Sequence, residues 1–197
     1  MSRLPAVTDA GGRAEAESRA RSRAGNLACV GLGANLDEPV RQVTRALKEL
    51  DAIAGATVTR VSSLYRTPPL GPGDQPDYVN AVAELSCTIG PHALLDALQA
   101  IENAHGRRRG AVRWTPRTLD LDLLLYGNQV IADERLTVPH RELANRAFVL
   151  VPLNELDSDK VIPGQPPLAE LLAAIDTSGI VPIPPPEAEE FFGETGR

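Results

Sequence analysis

With 197 residues the chain fits a single domain, because one hydrophobic core usually serves about 100–200 residues. Its 43% apolar and 23% charged content is that of an ordinary soluble globular protein, and no apolar run approaches the roughly 18 residues needed to span a bilayer. A net charge of −6 argues against a general polyanion-binding surface, which would be basic.

Residues 1–26 are small, polar and charged, too poor in large apolar groups to offset chain ordering, and are expected to form a disordered extension. They contain no apolar run of the secretory type, so a cytoplasmic location is expected. LACVGLG, from Leu27, is a short apolar strand, followed by a turn at Asn35–Asp37 and a helix from about Pro39. In that helix Val40, Val43, Leu47, Leu50 and Ile53 recur at three- and four-residue spacing, as a core-facing stripe should. TVTRVSSLYR and YVNAVAELSCT predict two strands flanking the loop TPPLGPGDQPD, whose eleven residues are long for a hairpin and imply a task. PHALLDALQAIENAHG predicts a second helix with Leu94, Leu98 and Ile101 on one face, ending near Gly106.

An arginine-rich loop then leads into the strand TLDLDLLLYG and, through a Gly-Asn turn, into GNQVI as a hairpin. The order β-α-β-β-α-β predicts an α+β, ferredoxin-like fold, an antiparallel sheet with helices packed on one face. RELANRAFVLVPL and PPLAELLAAI add helical material to a single domain over residues 27–176, and residues 177–197 are expected to form a loose proline-rich tail. Cys29 and Cys87 lie within apolar strands and are expected to be buried free thiols; His92 and His105 are expected at the surface.

Asp120 and Asp122 interrupt an otherwise apolar strand. Residues two apart on a strand share a face, so the two carboxylates rise side by side while Leu119, Leu121 and Leu123 point into the core. Close carboxylates repel, and a hard cation relieves them; magnesium is commonly held by one or two carboxylates plus substrate phosphates. An exposed strand face that tolerates Asp is the other reading of the pair alone. Arg107, Arg108, Arg109, Arg113 and Arg117 precede this strand with no acidic residue among them, a pattern suited to triphosphate oxygens or simply to a solvated basic loop. Trp114, the chain's one tryptophan, sits in that polar loop, where an indole has a reason to be if it packs on a ligand ring or a guanidinium. GLGAN matches neither the P-loop nor the dinucleotide fingerprint. His140, after a proline, is catalytic or structural.

Taken together, YRTPPLGPGDQPDYVNAVAEL, GRRRGAVRWTPRTLDLDLLLYG and LTVPHRELANRAFVLVPL closely resemble the 6-hydroxymethyl-7,8-dihydropterin pyrophosphokinase family, in order and in register from about Leu27 to Leu156. The resemblance implies pyrophosphoryl transfer from ATP to the dihydropterin hydroxymethyl group, leaving AMP, with two magnesium ions on Asp120 and Asp122. It implies a pterin pocket shaped by Thr67, Pro68 and Leu70, with Tyr78 and Phe148 stacking on the ring, Asn80 reading its edge, and Gly33, Asn35 and Trp114 nearby. By the same matching, Arg107 and Arg117 grip the ATP phosphates, Arg109, Arg113 and Trp114 close the site, and Gln99, Leu123, Arg135, Thr137, His140 and Arg146 line the nucleotide. His140 joins Arg107, Arg117 and the aspartates as catalytic. The implied partners are these two small substrates, with no nucleic acid and no membrane, acting on a monomer. Three positions depart from the family pattern: Ala34 for a common serine, Gly110 for a basic residue, and Arg141 for a frequent aromatic. A ferredoxin-like nucleic-acid module is the rival from another class, but it needs aromatic strands and a basic sheet face, and this chain has 4% aromatics and aspartates on the strand concerned. A relative that binds pterin without catalysis is a second.

Overall fold

The computed structural model describes residues 26–69, 75–106 and 118–184; the expectations for the N-terminal extension, for the loop arginines and for most of the tail fall outside them. Strand β1 (Asn26–Ala34) leads to helix α1 (Pro39–Asp51), then β2 (Ala56–Val61), β3 (Tyr65–Thr67), β4 (Tyr78–Cys87), helix α2 (Pro91–Ala104) and β5 (Asp120–Tyr126). Two short strands, β6 (Ile131–Ala132) and β7 (Thr137–Val138), precede helices α3 (Ala147–Leu156) and α4 (Leu168–Ala173) and a last strand β8 (Val181–Pro182). The main sheet runs β5-β1-β4-β3-β8 with β2 also on β4, and its pairs are antiparallel, as the ferredoxin-like reading requires.

The first core follows from the two periodicities. The α1 stripe buries Val43, Leu47 and Leu50, and α2 buries Leu94 and Leu98. They meet Ala28, Val30 and Leu32 of β1, Val79, Ala81, Ala83 and Leu85 of β4, and Leu119, Leu121 and Leu123, each set spaced by two and so facing one side of the sheet.

Helices cover both faces, not one. Val149, Leu150 and Leu153 of α3 and Leu168 of α4 pack against Cys29, Val82, Leu124 and Leu125 on the second face. The reason lies in FVLVPL: a segment apolar nearly all round cannot present a wet side, and β4 offers it Val82. Both cysteines are free and buried, as expected, and burial pushes the Cys29 thiol up to about 12.

Three local expectations are corrected. TVTRVSSLYR is two strands, because the Ser62 hydroxyl accepts from Val82 N–H at 3.0 Å and replaces a regular ladder bond. The Gly-Asn turn makes no hairpin with β5: Gly127, at φ +52°, bonds back to Leu27 O and ends the strand, and β6 pairs with β7 instead. The start of the tail is structured, since β8 pairs with β3, Ile183 N–H donates to Leu64 O at 2.8 Å, and Ile183 is buried.

Just past the end of α3, the half-buried Lys160 pairs with the buried Glu84. Lys160 Nζ reaches Glu84 Oε2 and Asp157 Oδ2, each at 3.0 Å, and the Thr59 hydroxyl donates to Glu84 Oε1. Removing one partner strands a desolvated charge, so Lys160→Met is expected to lower stability by about 3–5 kcal/mol in urea unfolding. Pairing it with Glu84→Met should recover most of that loss; a double variant as unstable as the single would show that the lysine stem, not the charge, matters.

Candidate active site

The site is built on two residues of β1 that have no side chain. Antiparallel register sets Gly33 opposite Asn80 of β4 on one side and Asp120 of β5 on the other; in the next row Gly31 faces Val82 and Asp122. Opposed residues point to the same face, so Asp120 and Asn80 stand roughly 10 Å apart across a bare strip of backbone. A cavity of about 640 Å³ lies over that strip, between the sheet and the segment from His140 to Val149. This size lies within the range of small-molecule sites.

One end of the cavity is set by Thr67, Pro68, Tyr78 and Asn80. Asn80 Nδ2 donates to Thr67 Oγ1 at 2.7 Å, which fixes the amide and places Asn80 Oδ1 over Gly33. Phe148, at the start of α3, supplies a second aromatic wall. Asn35, in contrast, is not on the wall: it is buried and donates from Nδ2 to Pro76 O, tying the end of β1 to the chain after the Pro-Gly loop.

The other end is charged. Asp120, Asp122 and Leu124 share the cavity face, while Leu121 and Leu123 are buried in the helix-side core. The pleat turns the Leu123 side chain to the face opposite the cavity floor, so any part it takes in lining the nucleotide falls to its backbone on the β5 edge. Arg146 Nη1 bonds Asp122 Oδ2 at 3.0 Å, and its guanidinium carbon lies 5.7 Å from the Phe148 ring centre. His140 N–H donates to Leu124 O, and its Nδ1 accepts from Glu142 N–H at 3.2 Å, leaving Nε2 directed at Asp122 Oδ2 3.8 Å away. Burial, the largest influence, holds the imidazole below its ordinary pKa against the pull of Asp122, with Arg146 lowering it further. In its neutral form, which burial favours, the ring carries its proton on Nε2 and is a hydrogen-bond donor aimed into the cavity.

Two carboxylates on one face form a hard-oxygen donor set, and among the described residues no cluster of three or more His, Cys, Asp or Glu residues is placed to hold a metal. That set suits magnesium, which completes its shell with phosphate and water oxygens, rather than zinc. Gln99, Arg135 and Thr137 are off the cavity; Arg135 pairs with Asp96, one turn before Gln99 on α2, so these two share a flank beyond β5. Leu70, Arg107, Arg109, Arg113, Trp114 and Arg117 lie outside the described residues. Gly31 and Leu124 also line the cavity; no motif marks them, but their spacing of two from Gly33 and Asp122 puts them on the same face.

A family model for 7,8-dihydro-6-hydroxymethylpterin-pyrophosphokinase (HPPK) matches residues 29–158. The chain belongs to this family. It is similar to the 2-amino-4-hydroxy-6-hydroxymethyldihydropteridine pyrophosphokinase of Haemophilus influenzae, 51% identical over 145 residues, 74% of this chain and 90% of that protein. The protein of the same description from Pseudomonas aeruginosa is 49% identical over 155 residues, 79% and 95% of the two chains. Among solved structures, wild-type Plasmodium falciparum HPPK-DHPS aligns with a TM-score of 0.61 at 14% identity, over 76% of this chain. This HPPK chain covers 44% of that longer protein, and the likeness is one of fold.

A Cβ added at Gly33 would lie 2.9 Å from Asn80 Oδ1, a contact that forces the fixed amide to move. Gly33→Ala is therefore expected to weaken dihydropterin binding by roughly tenfold, about the loss of one hydrogen bond, in calorimetry. Unchanged affinity would show that the position of the Asn80 amide does not matter to dihydropterin binding.

Proposed function

We propose that the chain transfers the pyrophosphoryl group of ATP to the hydroxymethyl oxygen of 6-hydroxymethyl-7,8-dihydropterin, forming the pterin diphosphate and AMP in folate biosynthesis. The observation that carries this reading is the row Asp120, Gly33, Asn80: an amide and a carboxylate on one cavity floor with a gap between them. A flat bicyclic ring fits that gap, with Tyr78 and Phe148 available to its faces and Thr67 and Asn80 to its polar edge. Its hydroxymethyl group would then approach the aspartates.

In the step itself the hydroxymethyl oxygen attacks the β-phosphorus of ATP. The bond from that phosphorus to the oxygen bridging the α-phosphate breaks, AMP leaves with the bridging oxygen, and the hydroxyl proton passes to solvent. Asp120 and Asp122 would hold magnesium, two ions in our reading, whose chemistry there is to neutralise the phosphate oxygens. Arg146 can release Asp122 and turn its guanidinium to phosphate, since both partners sit at the cavity wall. His140 would donate from Nε2 to a phosphate oxygen. Arg107, Arg117, Arg109, Arg113 and Trp114 are assigned by resemblance to phosphate binding and closure, and Gln99, Arg135 and Thr137 to the nucleoside end beyond β5. No helix among the described residues is long and apolar enough to cross a membrane. The enzyme of this proposal is a cytoplasmic monomer.

With ATP, magnesium and the dihydropterin alcohol, the purified protein should release AMP; ADP as the nucleotide product would refute transfer at the β-phosphorus. Asp120→Ala and Asp122→Ala should each lower turnover by at least about a hundredfold, about 3 kcal/mol of transition-state stabilisation, without lowering the melting temperature. Near-normal turnover in either, across a magnesium titration, would strip that residue of its role.

A further inference from the structure

His105, expected at the surface, is buried at the end of α2, and its ring exposes no area. Nδ1 lies 2.8 Å from Gln42 Oε1 and Nε2 lies 2.6 Å from Glu49 Oε2, both on α1. The Gln42 amide is oriented independently, because its Nε2 donates to Asp37 O at 3.0 Å. Both ring nitrogens thus face oxygen acceptors, and an imidazole bonds two acceptors only with a proton on each nitrogen. Glu49 is bound on its other oxygen by Arg45 Nε at 2.9 Å, so its carboxylate is held between the imidazole and a guanidinium. The pterin and phosphate chemistry described above uses none of these groups.

What they hold is the end of α2, and α2 holds β5. The Thr118 hydroxyl donates to His105 O at 2.7 Å, two residues before Asp120. Leu121 N–H, in the middle of the aspartate pair, donates to Glu102 Oε1 at 2.8 Å, and Glu102 is almost fully buried one turn before His105. Strand β5 ends the sheet, so this amide is taken by a helix carboxylate and not by a further strand. We propose that His105 is a positioning residue for the carboxylate pair: by locking the last turn of α2 to α1, it fixes Thr118 and the Leu121 peptide, and with them the spacing at which Asp120 and Asp122 meet a cation. The functional part of this inference rests on the reading of those aspartates as magnesium ligands; the mechanical part does not.

The test is amide hydrogen exchange on the metal-free protein, with His105→Leu, Glu49→Gln and Thr118→Val. Exchange at Leu121 should rise about tenfold relative to the amides of the β1–β4 ladder, a local loss of about 1.4 kcal/mol. In the enzyme assay the same variants should need several-fold more magnesium for half-maximal rate, with the KM for pterin unchanged. If His105→Leu fails to fold, Glu49→Gln and Thr118→Val, which keep side-chain volume, carry the test. Leu121 exchange that stays at the wild-type value, or that rises only in step with every ladder amide, would overturn the proposal, since a merely structural histidine lowers stability everywhere alike. Absence of AMP formation by the wild type would instead defeat the proposed function and leave the exchange result standing.

Discussion

The antiparallel register that sets Gly33 between Asp120 and Asn80 is the constraint on which the rest of the site depends. A strand with period two can give only one residue in each row to a given face, so a bare floor between an acid and an amide requires glycine in the middle strand. Moving either neighbour by one residue would turn the aspartates into the leucine core and bring leucines onto the cavity floor. The core on the other face therefore guards the register of the site, because the same slip would expose Leu121 and Leu123.

Charge in the cavity is balanced internally. Arg146 satisfies Asp122 while leaning on Phe148, so one guanidinium links the carboxylate end of the cavity to its aromatic end. On the proposed reading, a divalent cation at Asp122 and a phosphate at Arg146 would each replace the partner that the other displaces. His140 needs no such exchange: burial favours its neutral form, and the bond its Nδ1 accepts from Glu142 N–H puts the proton of that form on the cavity side.

Most of the framework could be read in the chain. The 3.6-residue stripe of α1 and the two-residue alternation around Asp120 and Asp122 reflect a single buried face, and there pattern and structure coincide. Other features failed for definite physical reasons. Ser62 broke a strand because a side-chain hydroxyl took a backbone bond, which periodicity does not register. His105 was misplaced because its burial comes from polar partners 56 and 63 residues away on α1, not from apolar neighbours in sequence. The second helical face was missed because an all-round apolar segment such as FVLVPL shows that a helix is buried without showing against what. Within the site, the polar cavity residues were legible as a constellation, while the face that Leu123 presents was not, because motif matching compares positions and ignores the direction of the pleat.

The run Leu123-Leu124-Leu125-Tyr126 shows how pleat and core are reconciled. Between Cys29 and Val30 the β1–β5 register shifts: Val30 is opposite Leu123 and Cys29 opposite Leu125, so Leu124 is the extra residue of a β-bulge. Leu124 and Leu125 consequently both reach the core beneath α3, while Tyr126 returns to the helix side and donates its hydroxyl proton to Ile89 O. Without the bulge, strict alternation would carry the Asp120, Asp122, Leu124 face on to Tyr126 and place a phenol in the α3 core. The bulge lets one strand present carboxylates to a wet cavity at its start and apolar groups to two separate cores at its end. It also leaves the carbonyl of Leu124 turned outward to receive His140 N–H, so the irregularity that completes the packing also anchors the histidine beside the aspartates.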